Sequence, residues 1–177
     1  MKRTAMAYTD HFEAVMRVMT GSGLLLAAYD PKGRPNAMAI GWGMLGSAWG
    51  IPQWIVLVRP SRYTYDCIEA SRAFSVCVPG ADLDEACAIC GSKSGRHGDK
   101  LAEAGLKVEK GKFGSPLLPQ CPILYECTVI HHNDVLPDRL ASEVRRACYG
   151  GGDYHRLYYG KIEAVTASAD VQKLPRG

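Results

Sequence analysis

The chain has 177 residues, 47% of them hydrophobic and 22% charged, which predicts one domain over residues 1–177 with a substantial core. A formal net charge of +3 with scattered basic residues argues against nucleic acid or a membrane surface as a partner. No apolar run reaches the roughly 18 residues that cross a bilayer, and Asp10 interrupts any signal sequence, so a cytoplasmic protein is expected.

The predicted elements are short and mostly extended. Thr9 or Asp10 is expected to cap a helix that ends at Met19. Apolar runs of strand length follow at residues 24–29, 36–42, 53–58, 74–78, 123–131 and 156–167. Shorter helices are predicted at residues 61–71, 82–90, 99–104 and 137–147. Because strands outnumber helices and do not alternate with them, the pattern predicts a mainly β fold, a β-barrel with peripheral helices.

The stretch RPSRYT at residues 59–64 leaves a buried strand and enters a helix, with Ser61 as the expected N-cap. A helix start concentrates unpaired amides and partial positive charge, and therefore binds phosphate. Arg59 and Arg62 would add charge-assisted hydrogen bonds, and the other side chains would add hydroxyl groups. An ordinary capped helix with solvated arginines is an equally open interpretation.

Two further segments have the composition of a ligand site. Residues 90–100 combine glycines with the donors Ser94, Arg96 and Lys100, although most loops of this composition are mobile surface loops. Residues 36–43 form a strand with small side chains, which allow a flat molecule or another backbone to approach. A tightly curved barrel strand would need the same glycines.

Together these segments resemble the flavin reductase-like family, the FMN-binding split-barrel proteins that include flavoredoxin. The resemblance rests on an N-x-M-x-x-x-W strand at residues 36–42, on VRPSRYTY at 58–65 and on SGRxxDK at 94–100. LYEC at residues 124–127 and HRLYYGKI at 155–162 also match, so the resemblance spans nearly the whole chain. It implies a six-stranded split barrel, non-covalently bound FMN, and a homodimer with the flavin near the subunit interface.

The resemblance also implies a role for each matching residue. The FMN phosphate and ribityl chain would be held by Arg59, Ser61, Arg62, Tyr63 and Thr64. The isoalloxazine ring would lie along Asn36, Met38, Ala39, Ile40, Gly41 and Trp42. The cofactor would be covered by Ser94, Gly95, Arg96 and Lys100. Of these, Lys100 would neutralise negative charge on the reduced ring. Relatives commonly carry threonine at the position of Ala39 and serine near Gly41, so ring contacts here would rest on backbone groups.

The function that this resemblance implies is hydride transfer from NAD(P)H to flavin, the activity of an NAD(P)H:flavin oxidoreductase. The sequence shows no dinucleotide-binding fold of the GxGxxG type, so NAD(P)H would dock transiently on the flavin face. No catalytic residue is predicted, because the protein contributes position and electrostatics. The alternative is a flavoredoxin-type electron carrier that serves a redox protein partner or ferric iron, and a third is a barrel that has lost its flavin.

Other reactive side chains have simpler interpretations. His155 is expected to be a strand-end histidine with a satisfied hydrogen bond, rather than a nicotinamide contact. His131 and His132 are expected at a solvated strand end, and no metal site is predicted. Cys87 and Cys90 form a CxxC pair without a second pair, so dithiol or metal chemistry is the less favoured reading. The seven cysteines as a whole suit reduced core thiols.

Overall fold

A computed structural model describes residues 2–174, in which one large antiparallel sheet carries short helices on its flanks. The described strands are β1 (Arg3–Ala5), β2 (Leu24–Tyr29), β3 (Pro35–Ile40), β4 (Gly43–Ala48), β5 (Ile51–Val58), β6 (Ala73–Val78), β7 (Glu109–Lys110), β8 (Pro116–Leu117), β9 (Ile123–Asp134) and β10 (Arg156–Ser168). The described α-helices are α1 (Phe12–Thr20), α2 (Tyr63–Ser71), α3 (Asp84–Ser92), α4 (Lys100–Glu103) and α5 (Ser142–Cys148).

The main sheet is a curled sheet whose two edge strands are neighbours in sequence. Its order is β3-β2-β6-β9-β10-β5-β4, and β1 adds to β10. β3 and β4 stand at opposite ends of this order, yet only Gly41 and Trp42 separate them. Three Cα steps span at most about 11 Å, so the sheet must curl until its edges almost meet. The barrel is therefore open along a split between β3 and β4.

Alternating side chains of the sheet pack into two separate clusters, because successive residues of a strand point to opposite faces. On β2, Leu24 and Leu26 enter the barrel interior, whereas Leu25 faces a second cluster that is covered by α3. The interior contains Trp54 and Tyr125, whose rings meet edge to face at 5.6 Å between centroids. The second cluster fixes α3 against the sheet through Cys87 and Cys90, among others.

The mainly β prediction is confirmed, with corrections to individual elements. The strand predicted at residues 36–42 ends at Ile40, and the following strand β4 was not predicted. The eight-stranded sheet exceeds the six strands that the resemblance implied. The helix predicted at residues 137–147 is instead a 3-10 turn, Pro137–Arg139, followed by α5.

The cap predicted for the first helix is wrong. α1 begins at Phe12 after His11, which has a left-handed backbone (φ 59°) and gives no side-chain cap. The carboxylate of Asp10 instead accepts a hydrogen bond from the Ala7 backbone N–H at 3.0 Å. A short turn, rather than a capping box, therefore precedes the helix.

The state of the cysteines and the length of the helices can be read directly from the structure. The seven cysteines are all free thiols, and six of them are buried. Within residues 2–174, no helix is long and apolar enough to cross a membrane.

Candidate functional site

A cavity of about 240 Å³ opens at the split of the barrel. Its floor is the end of β3 and the connection to β4, and its walls come from β5, the following turn and the start of β10. The lining residues are Met38, Ala39, Ile40, Gly41, Trp42, Leu57, Arg59, Arg62 and His155. Since Ala39 and Gly41 have little or no side chain, the backbone of this edge strand is accessible from the cavity.

A second cavity, of about 310 Å³, adjoins the first and shares Met38, Ala39 and Arg62 with it. It lies between the start of α2 and the end of α3, and polar groups dominate its lining. The further lining residues are Ser61, Tyr63, Thr64, Cys90, Gly91, Ser92, Lys93, Ser94, Arg96, His97 and Lys100. The two cavities adjoin at the three shared residues and are here together called the cleft. The cleft has a backbone-lined end, called the ring end after the Trp42 and His155 rings that line it, and a cationic end.

The cationic end of the cleft contains the uncapped N-terminus of α2. Arg62 occupies the N-cap position with extended backbone, and no side chain of residues 2–174 caps the first turn. The first N–H groups of this nine-residue helix, those of Tyr63 and Thr64, therefore stay available to an anion, whereas the Tyr65 N–H donates to the Arg62 carbonyl oxygen at 3.0 Å. The partial positive charge of the helix start also favours an anion.

Ser61 does not cap the helix, contrary to the sequence prediction. Its hydroxyl donates to the Asp153 carboxylate at 2.6 Å, and its backbone N–H donates to the other carboxylate oxygen at 3.2 Å. Asp153 has a left-handed backbone (φ 53°), so the segment before β10 turns sharply to present this carboxylate. Two sequence-distant segments thus fix the corner where β5 turns into α2.

Arg59 holds the same segment through its guanidinium group. It donates to the carbonyl oxygens of Cys148 and Asp153, each at 2.8 Å, and lies 5.0 Å over the Tyr149 ring. These contacts restrict Arg59 at the wall of the ring end of the cleft. Its positive charge therefore acts on the cleft from a fixed position.

Arg62 differs from Arg59 because its side chain is exposed. Among residues 2–174 it makes no side-chain hydrogen bond or ion pair. Its charge is close enough to contribute to the lowered pKa of His155 and of Lys100, although burial of each group is the larger cause. Arg62 thus stands where both cavities meet, with its donors uncommitted.

Arg96 and Tyr63 bind the 93–99 loop to the start of α2. The Arg96 guanidinium donates to the Ser61 carbonyl at 3.0 Å and to the Asp66 carboxylate at 2.7 Å, and it lies 5.1 Å over the Tyr63 ring. The Tyr63 hydroxyl donates to the buried Asp30 carboxylate at 2.7 Å. This chain of contacts places the loop along one side of the cleft.

Lys100 is buried, and its hydrogen bonds hold the start of the 93–99 loop. Its ammonium group donates to the carbonyl oxygens of Cys90 at 3.0 Å and Lys93 at 2.9 Å, at the C-terminal end of α3. Burial is the main cause of its lowered pKa. An ammonium group has three N–H donors, so one remains for a ligand in the cleft.

Asn36 lies beneath this loop rather than in the cleft. Its amide nitrogen donates to the Thr64 hydroxyl at 2.8 Å, which joins β3 to α2. Gly95 passes so close that a Cβ atom there would lie 2.3 Å from the Asn36 carboxamide oxygen. The loop motif therefore needs glycine at this position.

His155 lies at the ring end of the cleft and is only 8% exposed. Its Nδ1 atom and the Tyr149 hydroxyl are 2.8 Å apart, and its ring is 5.2 Å from Trp42. Burial, together with the charge of Arg59, lowers the pKa of His155 to about 4, so the ring is neutral at pH 7. The satisfied hydrogen bond expected for this histidine is present, but the side chain also lines the cleft.

All fifteen residues selected from the sequence line the cleft or a third cavity beside it. Sequence reasoning missed Leu57, since a strand-interior leucine carries no binding signal of its own. Cys87 and Cys90 are buried under the sheet, and burial raises the pKa of Cys87 to about 12. That burial explains why the CxxC pair forms no accessible dithiol.

Comparison with known proteins identifies the family to which this arrangement belongs. Residues 16–175 match the domain family described as "Flavin reductase like domain". The chain belongs to the flavin reductase-like family. The E. coli (strain K12) "Uncharacterized protein YddH" is 29% identical to this flavin reductase-like protein over 160 residues, which cover 89% of this chain and 75% of that protein.

Solved structures of similar fold agree with the family assignment. A flavoredoxin from Methanosarcina acetivorans is 26% identical and has a TM-score of 0.68, with 86% of this chain and 73% of that chain covered. A Shewanella frigidimarina protein with a split barrel domain is 15% identical and has a TM-score of 0.67, covering 93% of this chain and 81% of that chain. The open sheet of this flavin reductase-like protein is thus a split barrel, as the sequence predicted.

Proposed function

We propose that the cleft binds FMN non-covalently, with the ring at the split of the barrel and the phosphate at the start of α2. The observation that supports this most strongly is that the two cavities adjoin, one lined by an accessible strand backbone and one by cations and an uncapped helix end. A flat heteroaromatic ring joined to a phosphate fits that division. An anion without a ring would leave the first cavity unexplained.

The side chains of the cleft would have separate tasks. Arg62, Thr64 and the first-turn N–H groups of α2 would bind the phosphate. The loop beside the ribityl chain would be held in place by six residues, namely Asn36, Ser61, Tyr63, Ser94, Gly95 and Arg96. The exposed edge of β3 and the two residues that follow it, Met38 to Trp42 in all, would offer backbone hydrogen bonds to the ring, because within residues 2–174 β3 pairs with β2 alone.

When bound, FMN supplies the capacity to accept a hydride or single electrons. We propose that NAD(P)H is the transient hydride donor and that the protein is an NAD(P)H:flavin oxidoreductase. The protein's own contribution is to orient the ring while leaving one face open. Gly41 and Trp42 at the mouth of the cleft are exposed, which leaves room for a nicotinamide. Lys100 lines the cationic end of the cleft and not the cavity at the split, so the negative charge it would neutralise is that of the phosphate.

The oxidoreductase proposal is tested by mixing the FMN-loaded protein with NADH or NADPH without oxygen. The expected result is loss of the visible flavin absorbance within seconds to minutes, and its return when air is admitted. A flavin that stays oxidised with both nucleotides, yet is reduced by a reduced redox protein, would contradict the oxidoreductase. It would favour the electron carrier, a use that the name of the Methanosarcina acetivorans flavoredoxin also suggests.

We further infer that the protein is a homodimer that associates through the outer face of the sheet. One row of side chains runs across four neighbouring strands of this face: Met44 on β4, Ile55 on β5, Tyr159 on β10 and His131 on β9. Trp49, which is 66% exposed, packs on this row with its ring 5.7 Å from Tyr159 and 5.8 Å from His131. An exposed apolar patch of this kind marks an interaction surface.

A second copy is the occupant that the position of this face favours. The patch continues through Leu57 and Trp42 into the lining of the ring cavity. A copy seated on the patch would therefore cover part of the flavin ring. Such a contact would also explain why an aromatic side chain as large as Trp49 stands at a hairpin tip.

Replacing Trp49 with glutamate is expected to convert the dimer to a monomer, because the charge would have to be buried in the interface. Size-exclusion chromatography with light scattering measures the mass directly. Phe12→Glu is the matched control, since Phe12 is also exposed but lies on α1, outside the sheet. A wild-type monomer, or a Trp49→Glu protein that stays dimeric, would contradict this interface.

A further inference from the structure

A histidine on the wall of the ring end has one nitrogen atom without a partner. His155 is 8% exposed, and its Nδ1 atom lies 2.8 Å from the Tyr149 hydroxyl oxygen. Its Nε2 atom makes no hydrogen bond within residues 2–174, although the surrounding protein does not enclose this atom completely. Because His155 lines the cavity at the split, the partner of Nε2 comes from the occupant of that cavity.

The bond at Nδ1 decides what Nε2 can do. A neutral imidazole has one N–H donor and one acceptor nitrogen, and the His155 ring is neutral at pH 7 because burial lowers its pKa to about 4. The Tyr149 hydroxyl keeps its proton at this pH, since burial raises its pKa. An imidazole nitrogen accepts a hydrogen bond more strongly than a phenol oxygen does, so Tyr149 donates to Nδ1. The hydrogen of the ring is then on Nε2, which makes this atom a donor.

Tyr149 is itself held in one orientation. Its side chain is buried, and its ring stacks on the Tyr154 ring with 4.7 Å between centroids and 19° between planes. The Arg59 guanidinium lies 5.0 Å from the centroid of the Tyr149 ring. The Tyr149 backbone N–H also donates to the Arg145 carbonyl oxygen at 2.9 Å, at the end of α5. A donor that is fixed before its ligand arrives costs less entropy on binding.

We propose that Tyr149 is a positioning residue, which holds the His155 Nε2–H as a hydrogen-bond donor to the flavin ring. This inference rests on the proposed flavin function of the cleft. The edge of an oxidised flavin ring carries carbonyl oxygens and unprotonated nitrogens, all of them acceptors. The Leu57 side chain beside His155 has no donor, and Arg59 already donates to carbonyl oxygens of the 148–153 segment. His155 is therefore the side chain of this wall that is suited to such an acceptor.

The tautomer is tested in the flavin-free protein, by heteronuclear NMR of the imidazole nitrogens at pH 7. The wild type is expected to show His155 with its hydrogen on Nε2. Tyr149→Phe is expected to shift the Nδ1 resonance toward that of an imidazole nitrogen without a hydrogen bond. Tyr154→Phe is the matched control, since it also removes one hydroxyl, and that hydroxyl makes no hydrogen bond within residues 2–174. A wild-type hydrogen on Nδ1, or an unchanged Nδ1 resonance in Tyr149→Phe, would overturn the inference.

The contact with the ring is tested with riboflavin, which lacks the phosphate, by quenching of flavin fluorescence. Tyr149→Phe and His155→Leu are each expected to raise the Kd for riboflavin about 2- to 10-fold, the contribution of one hydrogen bond. His155→Gln keeps an N–H donor and is expected to bind more tightly than His155→Leu, and Tyr154→Phe should bind like the wild type.

An unchanged Kd for riboflavin in His155→Leu would overturn the contact with the flavin, even if the KM for NADH rose. The proposed binding of FMN in the cleft would then still stand. A wild-type protein that bound neither FMN nor riboflavin would overturn the proposed function and the ring contact together. The NMR result does not depend on flavin, so it separates these two failures.

Discussion

Replacing Arg62 with alanine is expected to raise the Kd for FMN by about 10- to 100-fold, because hydrogen bonds to charged groups contribute about 1.5–3 kcal/mol. Stability of the flavin-free protein should not change. The Arg62 side chain is exposed and bonds to no other side chain within residues 2–174, so its removal leaves no buried group unpaired. Isothermal titration with FMN and urea unfolding of the flavin-free protein measure the two quantities.

Riboflavin separates the role of Arg62 at the phosphate from a role at the ring. Because riboflavin lacks the phosphate, its affinity should be the same in the wild type and Arg62→Ala proteins. Arg145→Ala is the matched control, since Arg145 is an exposed arginine on α5 outside the cleft. If riboflavin affinity fell as much as FMN affinity, Arg62 would act on the ring rather than on the phosphate. If the affinity for FMN were unchanged in Arg62→Ala, the phosphate would not bind to Arg62 at the start of α2.

Replacing Lys100 with methionine is expected to lower the free energy of unfolding of the flavin-free protein by about 1–3 kcal/mol, the cost of leaving a buried acceptor unpaired. The ammonium group satisfies the carbonyl oxygens of Cys90 and Lys93, and methionine keeps the apolar stem without the donors. Urea unfolding measures the change. FMN affinity should fall as well, because the loop that carries Ser94 and Arg96 begins at this helix end.

Lys93→Met is the control for the loss of a lysine from the same loop. Lys93 is exposed and pairs with Glu103 at the surface, where an ion pair contributes at most about 1 kcal/mol. If Lys100→Met were as stable as the wild type without flavin, the structural role of Lys100 would be wrong. Its charge at the phosphate would then have to explain any loss of FMN affinity.

The regular parts of the fold could be predicted because their apolar runs have the length of strands. β2 was predicted with the bounds that the structure has. β4 was missed, since Gly43, Gly46 and Ser47 interrupt the alternation that marks a strand. The hairpin that follows turns at Trp49 and Gly50, both with positive φ, and tryptophan is not a residue that signals such a turn.

The site could be located from the sequence, but the partners of its residues could not. Arg59, Ser61 and Arg62 appear equivalent in the motif. The structure separates them, because Asp153 and the backbone of the 148–153 segment bind the first two and leave Arg62 free for a ligand. These contacts join residues more than 85 positions apart, as between Arg59 and Cys148 at a separation of 89. No local pattern predicts a pairing at that distance.

The most direct test of the central proposal is a crystal structure of the protein with FMN. The proposal predicts the phosphate at the first turn of α2, within hydrogen-bonding distance of the Arg62 side chain, and the ring against Met38–Trp42. FMN bound elsewhere, or a cleft that stays closed to it at saturating concentration, would contradict the account.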